Sequence, residues 1–249
     1  MKYLLVLLAL CGLALAKPGK LPSSWAVCKK SDPALQKCFK EAVAQAIQSL
    51  AEQGEPSLGI FTVDPLRMTK LSIGQGTGPV AIDLEFRDLD MMGIKGATFT
   101  DATIDPKTYD MSASLHIPKD ISLDGMYTIK GRVLVLPING DGHCHLGLAD
   151  PELKIDIKGV PVKRGAETYF NVTNFAFTLD TKKLTLHFEN LFNGNKELGN
   201  SMNTFLNENS AEVLKELKPA ISEGFGEVFR QIANRVFSKV PLDKIFPDK

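Results

Sequence analysis

Asp141, His143 and His145 are the residues best placed for metal chemistry, because they alternate along one predicted strand. Successive side chains of a strand point to opposite faces, so these three would share one face. Two histidines and a carboxylate form a donor set that binds zinc, which would indicate a zinc-dependent hydrolase. The other interpretation is a polar outer face beside a turn, with Cys144 directed inward. We favour this second interpretation and predict neither a metal nor a cofactor.

Other catalytic patterns have no support in the sequence. Gly74, Gly76 and Gly78 suggest a phosphate-binding loop, but neither a helical pattern nor the lysine–serine ending of a P-loop follows them. No Gly-x-Ser-x-Gly motif provides a serine nucleophile. The glycine segment is therefore interpreted as a turn, and the chain is predicted not to be an enzyme.

The N-terminal residues predict secretion. A lysine precedes an apolar run from Tyr3 to Leu15, and small residues stand at the expected cleavage positions, Ala14 and Ala16. This pattern predicts a signal peptide at residues 1–16, followed by a single secreted, extracellular domain at residues 17–249. No later segment has the roughly 18 consecutive apolar residues of a transmembrane helix, so no stable membrane insertion is expected. The 29 basic and 29 acidic residues balance, which gives no electrostatic basis for binding nucleic acid.

Cysteine use is consistent with secretion. Cys28 and Cys38 lie close in sequence on either side of a predicted helix start, where a disulfide would hold the N-terminal arm against the helix. Cys144 is then the odd cysteine, either buried or available for pairing between chains. The sequon at Asn171 predicts either an exposed glycan or an unmodified asparagine in a strand, and the residues alone do not decide.

Most of the middle of the chain alternates between apolar and polar residues, as strands with one dry face do. Val80–Arg87 and Met111–Ile117 show this pattern, and it returns four more times further along. Turn signals such as Asp124-Gly125 and Asn139-Gly140 separate the runs. Closely spaced strands without helical segments between them predict an antiparallel meander. A first helix, at about Pro33–Glu52, precedes these strands.

An apolar stripe at helical spacing, centred on Ile221, runs from Gly199 to Phe237. At about 1.5 Å per residue, one helix of this length would span roughly 55 Å. A compact chain of this size has a diameter of only about 45 Å, so we expect an elongated fold. The predicted class is α+β: a strongly curved antiparallel β-sheet wrapped around one long C-terminal α-helix, with a short N-terminal helix. No linker or repeat divides the chain.

Several sequence motifs together are similar to those of one known family. They are Asp64-Pro65-Leu66, Leu136–Gly142, Leu191–Gly194, Phe205–Asn209 and Lys239–Asp243, in addition to the Cys28/Cys38 pair. On these motifs the chain resembles the insect takeout and juvenile-hormone-binding protein family. The resemblance implies a curved sheet on a long helix that encloses a tunnel for hydrophobic ligands, with links to feeding, circadian output or chemosensation. Cys144 lacks the partner for the second disulfide that is usual in the hormone carriers, which resembles the takeout branch.

The combined prediction is a secreted carrier that binds a long hydrophobic small molecule in an internal tunnel. The resemblance implies a terpenoid hormone, a fatty acid or a similar lipid. A filled-core protein that acts through its surface on an unidentified receptor would need the same apolar faces, so this alternative stays open beside the zinc hydrolase. The residues predicted to line the tunnel are Leu214, Leu217, Ile221, Phe225, Val228 and Ile232 on the helix, and Leu84, Phe86, Leu115, Ile117, Val133, Val135, Phe175 and Phe177 on the strands.

Overall fold

A computed structural model describes residues 18–75 and 78–248, and the predicted signal peptide lies outside these residues. Within them, the strands are β1 (Leu66–Gln75), β2 (Val80–Met92), β3 (Thr98–Ile104), β4 (Met111–His116), β5 (Ile121–Val133), β6 (Leu136–Ala149), β7 (Glu152–Arg164), β8 (Glu167–Asp180) and β9 (Lys183–Phe188). The α-helices are α1 (Leu35–Glu52), α2 (Lys196–Glu208), α3 (Ser210–Phe237) and α4 (Leu242–Ile245). None of these helices is long and apolar enough to cross a membrane.

The strands form two antiparallel sheets. The larger has the order β1-β2-β5-β6-β9, and the smaller has the order β3-β4-β7-β8. Helix α3 contacts β8 of the smaller sheet and also β1, β2 and β9 of the larger one. The predicted α+β class, with antiparallel strands around a long C-terminal helix, is confirmed. The sheet is divided in two because β4 pairs with β7, so the chain leaves the first sheet after β2 and returns to it at β5.

The C-terminal helical segment contains a break that the apolar stripe did not predict. Asn209 has φ −108° and ψ 17° and separates α2 from α3. Its side-chain Nδ2 donates a hydrogen bond to the carbonyl of Phe205, 2.8 Å away, which closes the last turn of α2. The prediction of one continuous helix from Gly199 to Phe237 is therefore wrong. The apolar stripe indicates which face of the helical segment is buried, and both α2 and α3 have such a face. Helix α3 alone has 28 residues and spans about 42 Å.

Two glycines allow α3 to pack closely against both sheets. A Cβ at Gly224 would lie 2.7 Å from Cδ1 of Ile73 and 3.0 Å from the carbonyl oxygen of Ser72, both in β1. A Cβ at Gly226 would lie 2.5 Å from the carbonyl oxygen of Phe175 in β8. A side chain at Gly226 would require a backbone shift, and one at Gly224 would displace the side chain of Ile73 and crowd the carbonyl of Ser72, so both glycines permit a close approach of helix and strands. The middle of α3 is thus held between the two sheets.

Asparagine side chains attach α2 and α3 to the outer strands of the two sheets. Asn203 and Asn207 of α2 each both accept from and donate to backbone groups of β9, at 2.6–3.0 Å. Asn234 of α3 bonds in the same way to the N–H and carbonyl of Val172 in β8, at 2.9 and 2.8 Å. The outer strand of a sheet otherwise presents unpaired backbone groups. The side-chain amides satisfy these groups and fix the position of the helices along the sheet edges.

The N-terminal arm is held by the predicted disulfide, which is confirmed between Cys28 and Cys38 with an S–S distance of 2.06 Å. Helix α1 begins at Leu35, slightly later than predicted. The reason is a turn before it, in which the carboxylate of Asp32 accepts a hydrogen bond from the N–H of Ala34 at 2.8 Å.

Cys144 is a free cysteine that is fully buried in β6, and burial raises the pKa of its thiol to about 12. Because only the thiolate reacts with thiol reagents, the folded protein should resist iodoacetamide at pH 8. Peptide mapping after unfolding should then find Cys144 alkylated. Rapid alkylation of Cys144 in folded protein would contradict its buried position.

Candidate functional site

An apolar cavity of about 140 Å³ lies between α3 and the inner face of the larger sheet. Within the described part of the chain, every residue of its wall is hydrophobic: aliphatic, aromatic or, at Met91, a thioether. The wall includes Ile82, Leu84 and Phe86 of β2, Leu146 and Leu148 of β6, and Leu217, Ile221 and Phe225 of α3. The strand residues reach the cavity because every second side chain of a strand points to the same face. We call this space the first cavity.

A second cavity, of about 270 Å³, lies between α1, the smaller sheet and the C-terminal half of α3. Its wall includes Phe39, Ala42, Val43 and Ala46 of α1, Ile155 and Ile157 of β7, and Ile232 and Phe237 of α3. The wall is almost entirely apolar, like that of the first cavity. The alanines of α1 leave room at this surface because their side chains end at Cβ.

Phe229 belongs to the walls of both cavities. Its ring centroid lies 5.6 Å from that of Phe175, which lines the second cavity. It lies 5.8 Å from the ring of Phe177 and 6.3 Å from that of Phe225, which both line the first cavity. The two cavities therefore follow one another along α3, and Phe229 stands between them.

A third cavity, of about 280 Å³, lies between β8 and α3. Four of its wall residues, Phe177, Leu179, Leu214 and Ile221, also line the first cavity. The others are Thr178, Lys218, Pro219 and Ser222. We call this space the polar vestibule, because it adjoins the first cavity and polar residues are among those that form its wall.

The family model for haemolymph juvenile hormone binding protein (JHBP) matches residues 5–247. This chain belongs to the JHBP family. Takeout 1 of Epiphyas postvittana has a similar solved structure, with a TM-score of 0.72 and 27% sequence identity, covering 89% of this chain and 99% of that chain. The predicted resemblance to takeout-like proteins is thus confirmed.

Two further relatives match most of this JHBP-family chain. A putative beta-carotene-binding protein of Schistocerca gregaria is 26% identical over 220 residues, which are 88% of this chain and 86% of the relative. The circadian clock-controlled protein daywake of Drosophila melanogaster is 25% identical over 233 residues, which are 90% of this chain and 88% of the relative.

Ten of the fourteen residues predicted to line a tunnel do line a cavity of this JHBP-family fold. Leu84, Phe86, Val133, Phe177, Leu214, Leu217, Ile221 and Phe225 line the first cavity. Phe175 and Ile232 line the second. Contact with a ligand stays a prediction for all ten.

Four predicted lining residues lie elsewhere. Leu115 and Ile117 are buried in the packed core without reaching a cavity. Val135 is 83% exposed, because β5 ends at Val133 and the chain reverses there, whereas the prediction continued the alternation. Val228 is half-buried and packs against the core. The apolar stripe of α3 is wider than the cavity, since the helix also packs against β1 and β8.

The sequence prediction missed most of the wall contributed by β5, β6 and α1. In β5, Ile121, Leu123 and Ile129 line the first cavity and follow the same alternation as the predicted strands. That signal was obscured by the turn assigned at Asp124-Gly125. Ala42 of α1 lines the second cavity and was not among the predicted lining residues.

The residues of the zinc hypothesis have separate partners. Asp141 accepts a hydrogen bond from Arg87 at 2.8 Å. His143 and His145 instead lie 3.0 and 3.1 Å from the two carboxylate oxygens of Asp124. In the described part of the chain, no group of three or more histidine, cysteine or acidic side chains converges on a metal position. These residues are solvent-accessible on the outer face of the larger sheet, opposite the first cavity.

Proposed function

We propose that this chain is a secreted carrier that holds a long hydrophobic small molecule in the cavities beside α3. The observation that carries the proposal is the pair of apolar cavities arranged end to end on the two sides of Phe229. A hydrocarbon that leaves water for such walls gains about 25 cal/mol per Å² of buried apolar surface. Pockets for small molecules have this mostly apolar character.

The shape of the cavities supports an elongated ligand. Their walls include residues of α3 from Val213 to Phe237, a distance of about 36 Å along the helix axis. Chain-like molecules such as terpenoids, fatty acids or similar lipids can lie extended within this length. The family description names juvenile hormone, and one relative is named for beta-carotene, which supports an apolar ligand class.

A filled-core protein that acts only through its surface is the alternative. Protein interiors are normally close-packed, with few voids larger than a water molecule. Cavities of about 140 and 270 Å³ with apolar walls are therefore better explained by ligand binding than by imperfect packing. A carrier without catalysis is also favoured because the wall of the first cavity offers no nucleophile, acid or base.

We also propose that the mature chain is one extracellular domain that begins after residue 16. The Cys28–Cys38 disulfide supports this proposal, because disulfides persist in oxidising compartments. The proposed partner is the small molecule alone, with no nucleic acid and no inserted membrane segment. Asn171 is exposed on β8, and its glycosylation stays a prediction.

Protein purified from a eukaryotic secretory host should carry or take up one long apolar molecule. Native mass spectrometry before and after organic extraction should reveal the adduct. Uptake by the extracted protein should be tested with terpenoids, fatty acids and quinones. Folded protein without an adduct and without uptake of any of these would support the filled-core alternative. A zinc adduct would support the zinc-hydrolase hypothesis.

A further inference from the structure

The polar vestibule is bordered by two contacts between β8 and α3. On one side, the hydroxyl of Ser222 donates to the carbonyl of Phe177 at 2.6 Å. On the other side, the ammonium of Lys218 pairs with the carboxylate of Asp180. Thr178 and Leu179 of β8 lie between these two contacts and line the vestibule. The vestibule is therefore a lateral space at the seam between strand and helix.

Pro219 lies inside α3 at this seam. Proline has no backbone N–H, so it cannot donate the usual hydrogen bond to the carbonyl of Lys215. Pro219 and the neighbouring Lys218 both line the vestibule. Ile221 and Phe177 line both spaces, so the vestibule and the first cavity adjoin at these two side chains.

Lys218 is the one cation among the wall residues of the three cavities. An amphiphilic ligand cannot bury its polar end in the first cavity, since no wall residue there offers a polar side chain. Its polar end must remain where hydrogen-bonding groups and water are available. The vestibule provides the ammonium of Lys218, whose side chain is 40% exposed to solvent, beside the apolar space.

We propose that the vestibule is the headgroup site of this carrier, in which Lys218 binds the carboxylate of a long-chain acid whose hydrocarbon chain enters the first cavity. The inference rests on the proposed carrier function and names its ligand class. The side-chain carboxylate of Asp180 already pairs with the ammonium of Lys218, in the position that a ligand carboxylate would take. This side chain is 75% exposed and that of Lys218 is 40% exposed, so their ion pair contributes little to stability. The ammonium has three N–H donors, so a ligand carboxylate can replace or join Asp180.

A purely structural role for the ion pair makes a different prediction. If Lys218 and Asp180 only fasten α3 to β8, removing either side chain has the same effect, and the effect is the same for charged and neutral ligands. If Lys218 binds the headgroup, removing the Lys218 side chain weakens the binding of the acid. Removing the Asp180 carboxylate strengthens it, because Asp180 competes with the ligand for the ammonium. Only the binding of the acid then changes.

The test compares oleic acid with its methyl ester on extracted wild-type protein, Lys218→Met and Asp180→Asn. We expect Lys218→Met to weaken the binding of oleic acid about fivefold and Asp180→Asn to tighten it about threefold, a size consistent with one exposed charge contact. Methyl oleate should bind all three proteins within about twofold. Lys215→Met is the matched control, because Lys215 is 72% exposed on α3 and lines none of the three cavities. Lys215→Met should leave the affinity for both ligands unchanged.

Equal effects of Lys218→Met and Asp180→Asn on both ligands would overturn the headgroup site and identify a structural fastening. Unchanged binding of oleic acid by Lys218→Met would also overturn it, while normal binding of methyl oleate would leave the carrier function standing. Wild-type protein that binds neither ligand would overturn this inference, and the carrier function would then depend on the uptake of terpenoids and quinones.

Discussion

Ile221→Trp is expected to weaken the uptake of a long apolar ligand at least about tenfold while the melting temperature stays nearly unchanged. Ile221 lines both the first cavity and the polar vestibule, so the larger ring has open space beside it. A ring that excludes about 60 Å² of ligand surface removes roughly 1.5 kcal/mol of binding free energy, which is about tenfold in affinity. Uptake and thermal unfolding should be measured on the same extracted sample.

Val228→Trp is the matched control on the same helix. Val228 lies two turns further along α3, packs against the core and lines none of the three cavities. The same bulky ring in a packed site should cost about 1–3 kcal/mol of stability. For a chain of this size, the melting temperature should fall by roughly 2–4 °C per kcal/mol. If Ile221→Trp melts like this control and still binds ligand normally, Ile221 does not face open space.

The buried faces of the strands were predictable because alternation is a local property. Val80, Ile82, Leu84 and Phe86 were assigned to the dry face of one strand, and all four are buried in β2. The sequence did not reveal how many side chains fill the space behind such a face. Leu115 in β4 is the register partner of Leu153 in β7. Only Leu153 of this pair lines the first cavity.

The misassigned turns have a physical cause in the neighbouring strands. Asp124-Gly125 lies inside β5, where a Cβ at Gly125 would be 2.8 Å from Cα of Leu89 and 2.9 Å from the carbonyl oxygen of Asp88. Asp88 has φ +49° at an irregularity in β2, and glycine is needed opposite it. Gly125 is thus required by its contact with Asp88 and Leu89, which are distant in sequence. Turn rules that consider only neighbouring residues do not detect such a contact.

Gly140 and Leu134 are two further positions at which sequence rules for turns were misleading. Asn139-Gly140 lies inside β6, where a Cβ at Gly140 would be 2.5 Å from the hydroxyl of Tyr127. The actual reversal between β5 and β6 occurs at Leu134, which has φ +54°. Two-residue hairpin turns with positive φ usually carry glycine or asparagine, so leucine gave no signal. Val135 was consequently assigned to a strand.

Phe229→Ala should change the length of ligand that the protein holds. Each additional buried CH₂ contributes about 0.8 kcal/mol, roughly fourfold in affinity. In wild-type protein, affinity across a series of saturated fatty acids should rise by this step until the chain fills the first cavity and reaches Phe229. In the variant the rise should continue into the second cavity. Four further CH₂ groups would bring the longest acids to about 200-fold tighter binding than in the wild type.

Phe225→Ala is the control that distinguishes a longer path for the ligand from a mere enlargement of the first cavity. Phe225 lies one turn before Phe229 and lines the first cavity but not the second. Both alanine variants lose an aromatic ring from the core, at a cost of up to about 3–5 kcal/mol, so binding should be measured well below their melting temperatures. Phe225→Ala should retain a limit in chain length near that of the wild type, because Phe229 still stands between the cavities. A wild-type series without any limit, or the same shift in both variants, would show that Phe229 does not divide the path. A limit removed only by Phe229→Ala would mean that one aromatic side chain sets the ligand length within a path built by two sheets and a helix.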